Sequence, residues 1–482
     1  MNRQVSPTTG SFWPVIFAIF FGNFLASLST TTINIALPAF MNQFTAELHT
    51  VQWMVTGFML ATGVIAPVLG YLGDQFSYKR LYILSIIGFT ICSALCVLSW
   101  NIQSLISFRI LQGLFSGLIM PATMTIIYQV VEKEKQAFAL SMWSVSAMLG
   151  PALGPTLGGF LVQHFNWHAL FIMNIPIGLI AIVVAIRYIP YYKLSTKQHF
   201  DSVGFVSVII SSGALLVALS QGSMWGWQSA KTLSLLIGGA LLLIFFILWE
   251  LRVKEPLLHL RILRIRKFSY SLVLNGIISI SLYSGTFLIP IYLQNVQHTT
   301  AMQAGLIMLP GSLMMVICAP IVGRLYSRIG PVKLSLFGVL LMVISTWILT
   351  GLTVSTSHMF ITVWMAVRYV GITFANMPIT NAGMGAVPAN ESGHASSINN
   401  WIKQGMGSFA IGIFSSLLAS RTAFHLQGVV NPTEAAQQFA FTWSIGDVFM
   451  IATIIIALAI PFAFMLKDRR VRPVNMASDS SS

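Results

Sequence analysis

Charge is the first scarcity. Of 482 residues only 8% are Asp, Glu, Lys or Arg, while 56% are hydrophobic; soluble domains carry roughly a quarter charged residues. So little charge cannot cover a water-facing surface, and lipid must be the solvent for most of the chain. Cysteine is nearly missing too. Cys92, Cys96 and Cys318 all lie in apolar runs, which excludes a disulfide framework, and no Cys or His partner stands at ligand spacing, so no metal site is expected. The chain has no G-x-x-x-x-G-K-[ST], no G-x-S-x-G and no H-E-x-x-H. Nucleotide-driven pumping and the common hydrolytic chemistries are therefore not expected, nor is a cofactor. Acids number 12 against 26 bases, for a formal net charge of +14. In a soluble chain that excess would suggest nucleic acid, but these bases form no continuous patch, and no nucleic-acid partner is expected.

What is present is a long series of apolar runs. The bilayer core is about 30 Å thick and needs about 20 residues of helix. Fourteen such runs can be read, roughly at 13–37, 51–73, 81–99, 104–129, 137–162, 168–189, 202–221, 231–251, 270–294, 304–325, 332–353, 358–382, 397–418 and 444–466. Backbone groups in lipid must be satisfied within the segment, so all are predicted helices. The run after the polar start MNRQVSPTTG is too long for a signal-peptide core and is read as the first span. With the N-terminus inside, 21 of the 26 bases fall on the cytoplasmic side and only Lys231 and Arg421 outside, while Arg109, Arg368 and Lys403 stay within spans. That bias predicts both termini in the cytoplasm of a cell-membrane protein.

The chain also repeats itself. GYLGDQFSYKR at 70–80 and GRLYSRIGPVK at 323–333 each end an even-numbered run, 253 residues apart. RILQG carries Arg109 in run 4, and RYVG carries Arg368 in run 12, 259 residues on. Duplicated bundles with a site between them are the sequence mark of secondary transporters. The expected division is a six-helix bundle at 1–200, an inserted pair at 201–251, a basic linker at 252–269 and a second six-helix bundle with a short tail at 270–482.

With these phrases in order, the chain resembles the major facilitator superfamily, in particular its fourteen-span drug/proton antiporter branch, from about residue 20 to 466. The loop phrase is similar to the family's G-x-L-x-D-R-x-G-[RK] through Gly70, Leu72, Asp74 and Lys79, departing at Gln75 and Ser77. The second copy keeps Arg328 and Gly330 but has Ser327 where the acid would stand. LISFRILQG resembles the span-4 arginine motif, and GPALGPTLGG at 150–159 the span-5 exporter motif. NWHALFIMNIPIG, KEPLLHLRILRIRKF and SGHASSINNWIKQGMG resemble phrases of the branch. The resemblance implies an all-α integral membrane protein that exports small amphipathic or drug-like molecules by alternating access, coupled to protons and working as a monomer. An importer, a lipid or metabolite carrier, or a proton-independent facilitator would share the same fold.

The residues add their own chemistry. Asp74 ends a helix where the macrodipole disfavours an acid. It needs either the adjacent bases Lys79 and Arg80 or the N-terminal end of another helix, and such a cluster with Gly70 and Arg328 would latch the cytoplasmic side. Gly150, Gly154 and Gly158, beside Gly159, put a stripe of small residues on one helix face, suited to close approach and to rocking between halves. Pro151 and Pro155 free the carbonyls of Ala147 and Pro151 itself. Arg109 and Arg368 are costly in lipid and should face the interior; Arg109 and Lys403 have room to snorkel to the interface. Ser29, Asn34, Gln112, Asn376, Asn400 and Gln404 are the polar candidates for a cavity. Proton coupling needs a titrating group in the membrane. The branch usually has Asp in the span-1 phrase that here reads LSTTTINIALP, with Ser29 at that place.

Overall fold

A computed structural model of the chain describes residues 12–46, 48–191, 201–427 and 433–466. These residues form fourteen helical rods, with no strand among the described residues. They are α1 (Phe12–Phe44), α2 (Leu48–Ile65, continued through a 3-10 turn at Ala66–Val68 into Leu69–Phe76), α3 (Tyr78–Val97), α4 (Ile102–Val130), α5 (Lys133–His164), α6 (Ala169–Ile172 and Asn174–Tyr188) and α7 (Ser202–Trp225). The second part comprises α8 (Ala230–Arg252), α9 (Arg266–Asn295), α10 (Ala301–Ile329), α11 (Pro331–Ile348, ending in a 3-10 turn at Leu349–Gly351), α12 (His358–Met384), α13 (Ser392–His425) and α14 (Glu434–Ala457 and Ala459–Phe464). Several begin earlier than their apolar runs; α13 starts at Ser392 rather than near 397, and α14 at Glu434 rather than near 444. The even-numbered helices α4, α8, α10, α12 and α14 open with side-chain caps from Asn101, Ser229, Thr300, Ser357 and Thr433, which satisfy amides the first turn leaves free.

Among the described residues, twelve of the rods are long and apolar enough to cross a membrane by length and composition. The other two, α5 and α13, have 32 and 34 residues, ample for a bilayer, and in α13 glycine, serine and asparagine dilute the apolarity. Each packs on several other helices, α5 on α1 and α10, α13 on α9, α7, α2 and α4.

The apolar side chains gather into two large cores. One runs from Tyr82, Phe89, Ile119 and Ile126 of the first six helices across to Phe268, Met384 and Ile398 of the second half; the other includes Tyr292, Met342, Met365 and Phe449 of the last six. The halves meet along α5 against α10 and along α13 against α2 and α4. α7 and α8 pair with each other, and α7 bridges the seam by touching both α2 and α13. All three cysteines are buried and free.

The duplication is visible at the tight turns. Ser77, between α2 and α3, has φ 79°, and Gly330, at the equivalent place between α10 and α11, has φ 83°. Glycine adopts this conformation freely, whereas a serine there is strained. The second copy has the better residue.

Candidate functional site

The phrase at 70–80 closes one end of the seam. Asp74 is buried at the C-terminal end of α2. Its Oδ2 accepts from His394 Nε2 at 3.2 Å, and its Oδ1 lies 3.1 Å from the Tyr78 hydroxyl. His394 stands in the first turn of α13. The acid that α2's own dipole disfavours is thus set against the positive end of a helix from the other half. Lys79 and Arg80 do not supply the partner: Lys79 Nζ donates to the Ile186 carbonyl at 2.8 Å, and Arg80 lies 4.9 Å over the Tyr191 ring. Packing is tight enough to require glycine twice. A Cβ at Gly70 would meet the His394 ring, and one at Gly393 would meet the Tyr78 hydroxyl.

A second layer covers the pair. His259, in the linker after α8, stacks on His394 with ring centres 4.1 Å apart, and its Nδ1 is 2.7 Å from Glu391 Oε2. That hydrogen bond is the main cause that raises the His259 pKa and the main cause that lowers that of Glu391. Nearby, Gln129 Nε2 donates to Ser392 Oγ at 3.1 Å, the Tyr128 hydroxyl to Asn381 Oδ1 at 3.2 Å, and Ser396 Oγ to the Pro121 carbonyl at 2.9 Å. Each of these bonds joins the two halves. His259, Glu391 and His394 place ligand-type atoms within 4.8 Å of one another, but His394 Nε2 is engaged by Asp74 and its Nδ1 lies against Gly70. The set is a hydrogen-bonded closure, not an open coordination sphere.

The second loop closes differently. Ser327 and Arg328 are exposed, and Val322 and Tyr326 pack with Ala137, Phe374 and Met377. Arg324 lies 5.7 Å over the Phe138 ring. Where Asp74 makes polar contacts with the other half, the second loop packs apolar side chains instead.

Arg109 and Arg368 are both fully buried, each inside its own half. Arg109 Nη1 donates to Ser29 Oγ at 3.0 Å and to Gln112 Oε1 at 2.6 Å, its Nε to the Met54 carbonyl at 3.3 Å, and its guanidinium sits 4.1 Å from the Phe58 ring centre. Gln112 passes the chain on to Ser93 of α3 at 2.6 Å. Arg368 Nε donates to Thr346 Oγ1 of α11 at 3.1 Å, and its Nη2 to Ser284 Oγ of α9 at 2.6 Å and to the Ser281 carbonyl. The two halves repeat one arrangement: an arginine on the fourth helix held by hydroxyls of the first and linked to a hydroxyl of the third. Among the described residues no carboxylate reaches either cation. Ser29 and Gln112 thus belong to the Arg109 network within the first half and do not line the space between halves. Arg109 does not snorkel.

The span-5 stripe faces α1. A Cβ at Gly150 would strike Ser27, one at Gly154 would strike Thr31, and one at Gly158 would come 2.8 Å from the Thr32 carbonyl. Thr31 Oγ1 donates to the Gly150 carbonyl at 3.0 Å, and Ser27 Oγ donates to the Ala147 carbonyl, the acceptor that Pro151 leaves without a helical donor. The stripe therefore joins α1 to α5 inside one half; the seam is formed by other residues of α5. Gly159 is half-buried. The side chains of Asn34, Pro151 and Pro155 lie outside the described residues.

Between the halves lies a small cavity lined by Trp143 and Ser144 of α5, Asn376, Met377 and Thr380 of α12, and Lys403 of α13. Lys403 Nζ donates to Asn376 Oδ1 at 3.1 Å and Thr380 Oγ1 at 3.4 Å. Of the sequence candidates, Asn376 is on this wall. Gln404 turns toward Gly63 of α2, and Asn400 is half-buried on α13. Sequence reasoning did not select Lys403, His259, Glu391 or His394 for a site. His394 was within reach as the one ionisable residue of the SGHASS phrase, but its partner is 320 positions away.

The geometry is one of two duplicated bundles closing on a polar seam, and it has a family. The model of the Major Facilitator Superfamily matches residues 19–411. This chain belongs to that superfamily. The transporter is 33% identical, over 86% of its own length and 78% of the relative's, to YhcA of Bacillus subtilis, an uncharacterized MFS-type transporter. It is 31% identical to the tetracenomycin C resistance and export protein of Streptomyces glaucescens, over 87% of this chain and 78% of that one. The crystal structure of the human organic anion transporter MFSD10 shares the fold with a TM-score of 0.65 at 13% identity, covering 92% of this chain and 99% of that one. The protein is a multi-pass membrane transporter and not an enzyme.

Proposed function

We propose that this transporter exports small amphipathic or drug-like molecules across the cell membrane by alternating access, with protons as the counter-ion, fourteen spans and both termini cytoplasmic. The observation that carries the reading is the Asp74–His394 closure. It joins the two halves through a few reversible polar contacts at one end of the seam, with a cavity behind it, which is what a gate requires and a static scaffold does not. The exporting relative from Streptomyces and the glycine–proline phrase of α5 support the outward direction. Efflux of a panel of cationic, neutral and anionic dyes from cells, with and without a proton uncoupler, tests it. Dye that leaves expressing cells no faster than control cells would overturn export.

A second reading has its own observation. Arg109 meets the Ser29 hydroxyl where the antiporter branch usually has a carboxylate, so the proton carrier of span 1 is replaced by a group that does not titrate. On that reading the protein is a proton-independent facilitator, and efflux would persist unchanged when the uncoupler is added.

A further inference from the structure

The cavity has one charged side chain in its lining, Lys403. Lys403 lies eleven residues beyond Ser392, about 16 Å along α13 at 1.5 Å per residue, close to half the thickness of a bilayer core. Trp143 stands ten residues into α5, at nearly the same depth on the facing wall. An ammonium has three N–H groups. Two of those on Lys403 go to the neutral oxygens of Asn376 and Thr380, and no carboxylate among the described residues pairs with it. Two further cations, Arg109 and Arg368, are fully buried on neutral acceptors in the flanking bundles. Buried acids lie away from this level: Asp74 is bound at the seam's end to His394, and Glu250 is near the end of α8. A cation entering here would meet the Lys403 ammonium, whereas an anion would complete a valence already present. Trp143 has its indole N–H committed to Thr123 at 3.0 Å, so it offers the cavity ring surface rather than a donor.

We infer that the space around this cavity, which at about 10 Å³ holds no more than about one water in this closed form, widens as the halves part and selects amphipathic anions, with Lys403 engaging a carboxylate, sulfonate or phenolate of the substrate and Trp143 packing against its aromatic or apolar body. The inference rests on the proposed transport function and narrows it to one substrate class. A charge-assisted hydrogen bond of this kind corresponds to an affinity difference of about ten- to hundredfold. Arginine would preserve the charge, and methionine would keep the length of the chain without it.

The test uses the full chain in proteoliposomes and in detergent, with two dyes built on the same xanthene frame: carboxyfluorescein, an anion, and rhodamine 123, a cation. Transport and equilibrium binding are measured for the wild type, Lys403→Met and Lys403→Arg. The wild type is expected to bind and move carboxyfluorescein in preference to rhodamine 123. Lys403→Met should weaken carboxyfluorescein binding about ten- to hundredfold and admit rhodamine 123, while Lys403→Arg stays close to the wild type. Unchanged carboxyfluorescein affinity in a folded Lys403→Met protein overturns the inference. A wild type that moves rhodamine 123 but not carboxyfluorescein overturns it too, while leaving export standing. A wild type that binds and moves neither dye also overturns it, and export is then decided by the neutral dyes of the efflux panel. Should Lys403→Met fail to fold, the dye preference of the wild type by itself decides.

Discussion

Replacing Asp74 by Asn keeps the shape of the latch and removes its charge. Asp74 is only 5% exposed, so the group it loses is nearly unscreened. The carboxylate accepts from His394 Nε2 at 3.2 Å and from Tyr78 at 3.1 Å. Asn can still accept from Tyr78, but the charge-assisted bond to the other half is gone. Such a bond contributes about 1.5–3 kcal/mol, which shifts the balance between closed and open seam by about ten- to hundredfold. Ser392 reports that balance: it is 2% exposed and hydrogen-bonded to Gln129 across the seam. A cysteine introduced as Ser392→Cys reacts with a membrane-impermeant maleimide only when the halves part, at a rate that follows the open population when reclosing is fast. The three native cysteines are buried and give the background. Asp74→Asn in the Ser392→Cys protein should raise the labelling rate by about ten- to hundredfold and cut export. If the double variant inserts normally and labels at the parent rate, the pair does not hold the seam and the reasoning fails.

The remaining predictions concern strain, pH, packing and coupling. Ser77→Gly should raise the thermal midpoint in detergent, because it relieves a positive φ that costs about 1–3 kcal/mol in a residue with a Cβ; a lowered midpoint would show that the Ser77 side chain matters more than its backbone. Closure at Ser392→Cys should depend on pH through His259 and Glu391. The raised His259 pKa gives stabilisation that is complete below its ordinary value near 6.5 and fades as pH rises through the folded value. The lowered Glu391 pKa gives stabilisation present above its ordinary carboxylate range and lost as pH falls through the folded value. Labelling should therefore be slowest between the two, and His259→Ala should flatten the alkaline limb. Gly154→Leu should destabilise the first half by about 1–3 kcal/mol or more through overpacking against Thr31, whereas Gly238→Leu on α8, with no atom within 4 Å of its Cβ position, should leave the melting curve unchanged. Ser29→Asp would set a carboxylate beside Arg109 Nη1, 3.0 Å away in the serine form. It should make efflux more sensitive to an uncoupler, and an unaltered response would detach proton coupling from this position.

Some of this was legible residue by residue. The fourteen apolar runs, the copy of Gly70 at Gly323 and the pairing of Arg109 with Arg368 all follow from local composition, because a helix in lipid is chosen by the segment's own polarity and length. The freed carbonyl of Ala147 was legible too, since Pro151 lacks an amide hydrogen. Its acceptance of the Ser27 hydroxyl was not. Hydroxyls in transmembrane helices commonly bond back to their own helix, as Ser85 and Thr90 do here, so nothing in the chain distinguishes those that reach across.

The sequence by itself determined the solvent, the helices and the duplication, since each depends on neighbours a few positions apart. Tertiary structure decided which polar groups meet. It gave Asp74 a histidine from the other half instead of its own adjacent bases, sent the glycine stripe toward α1, and held Arg109 and Arg368 on neutral oxygens. It also set Lys403 deep between the halves, because α13 begins five residues before its apolar run. Charges in a low-dielectric interior are governed by whatever lies within a few ångströms, and that distance is set by how the helices pack, not by how the residues are ordered.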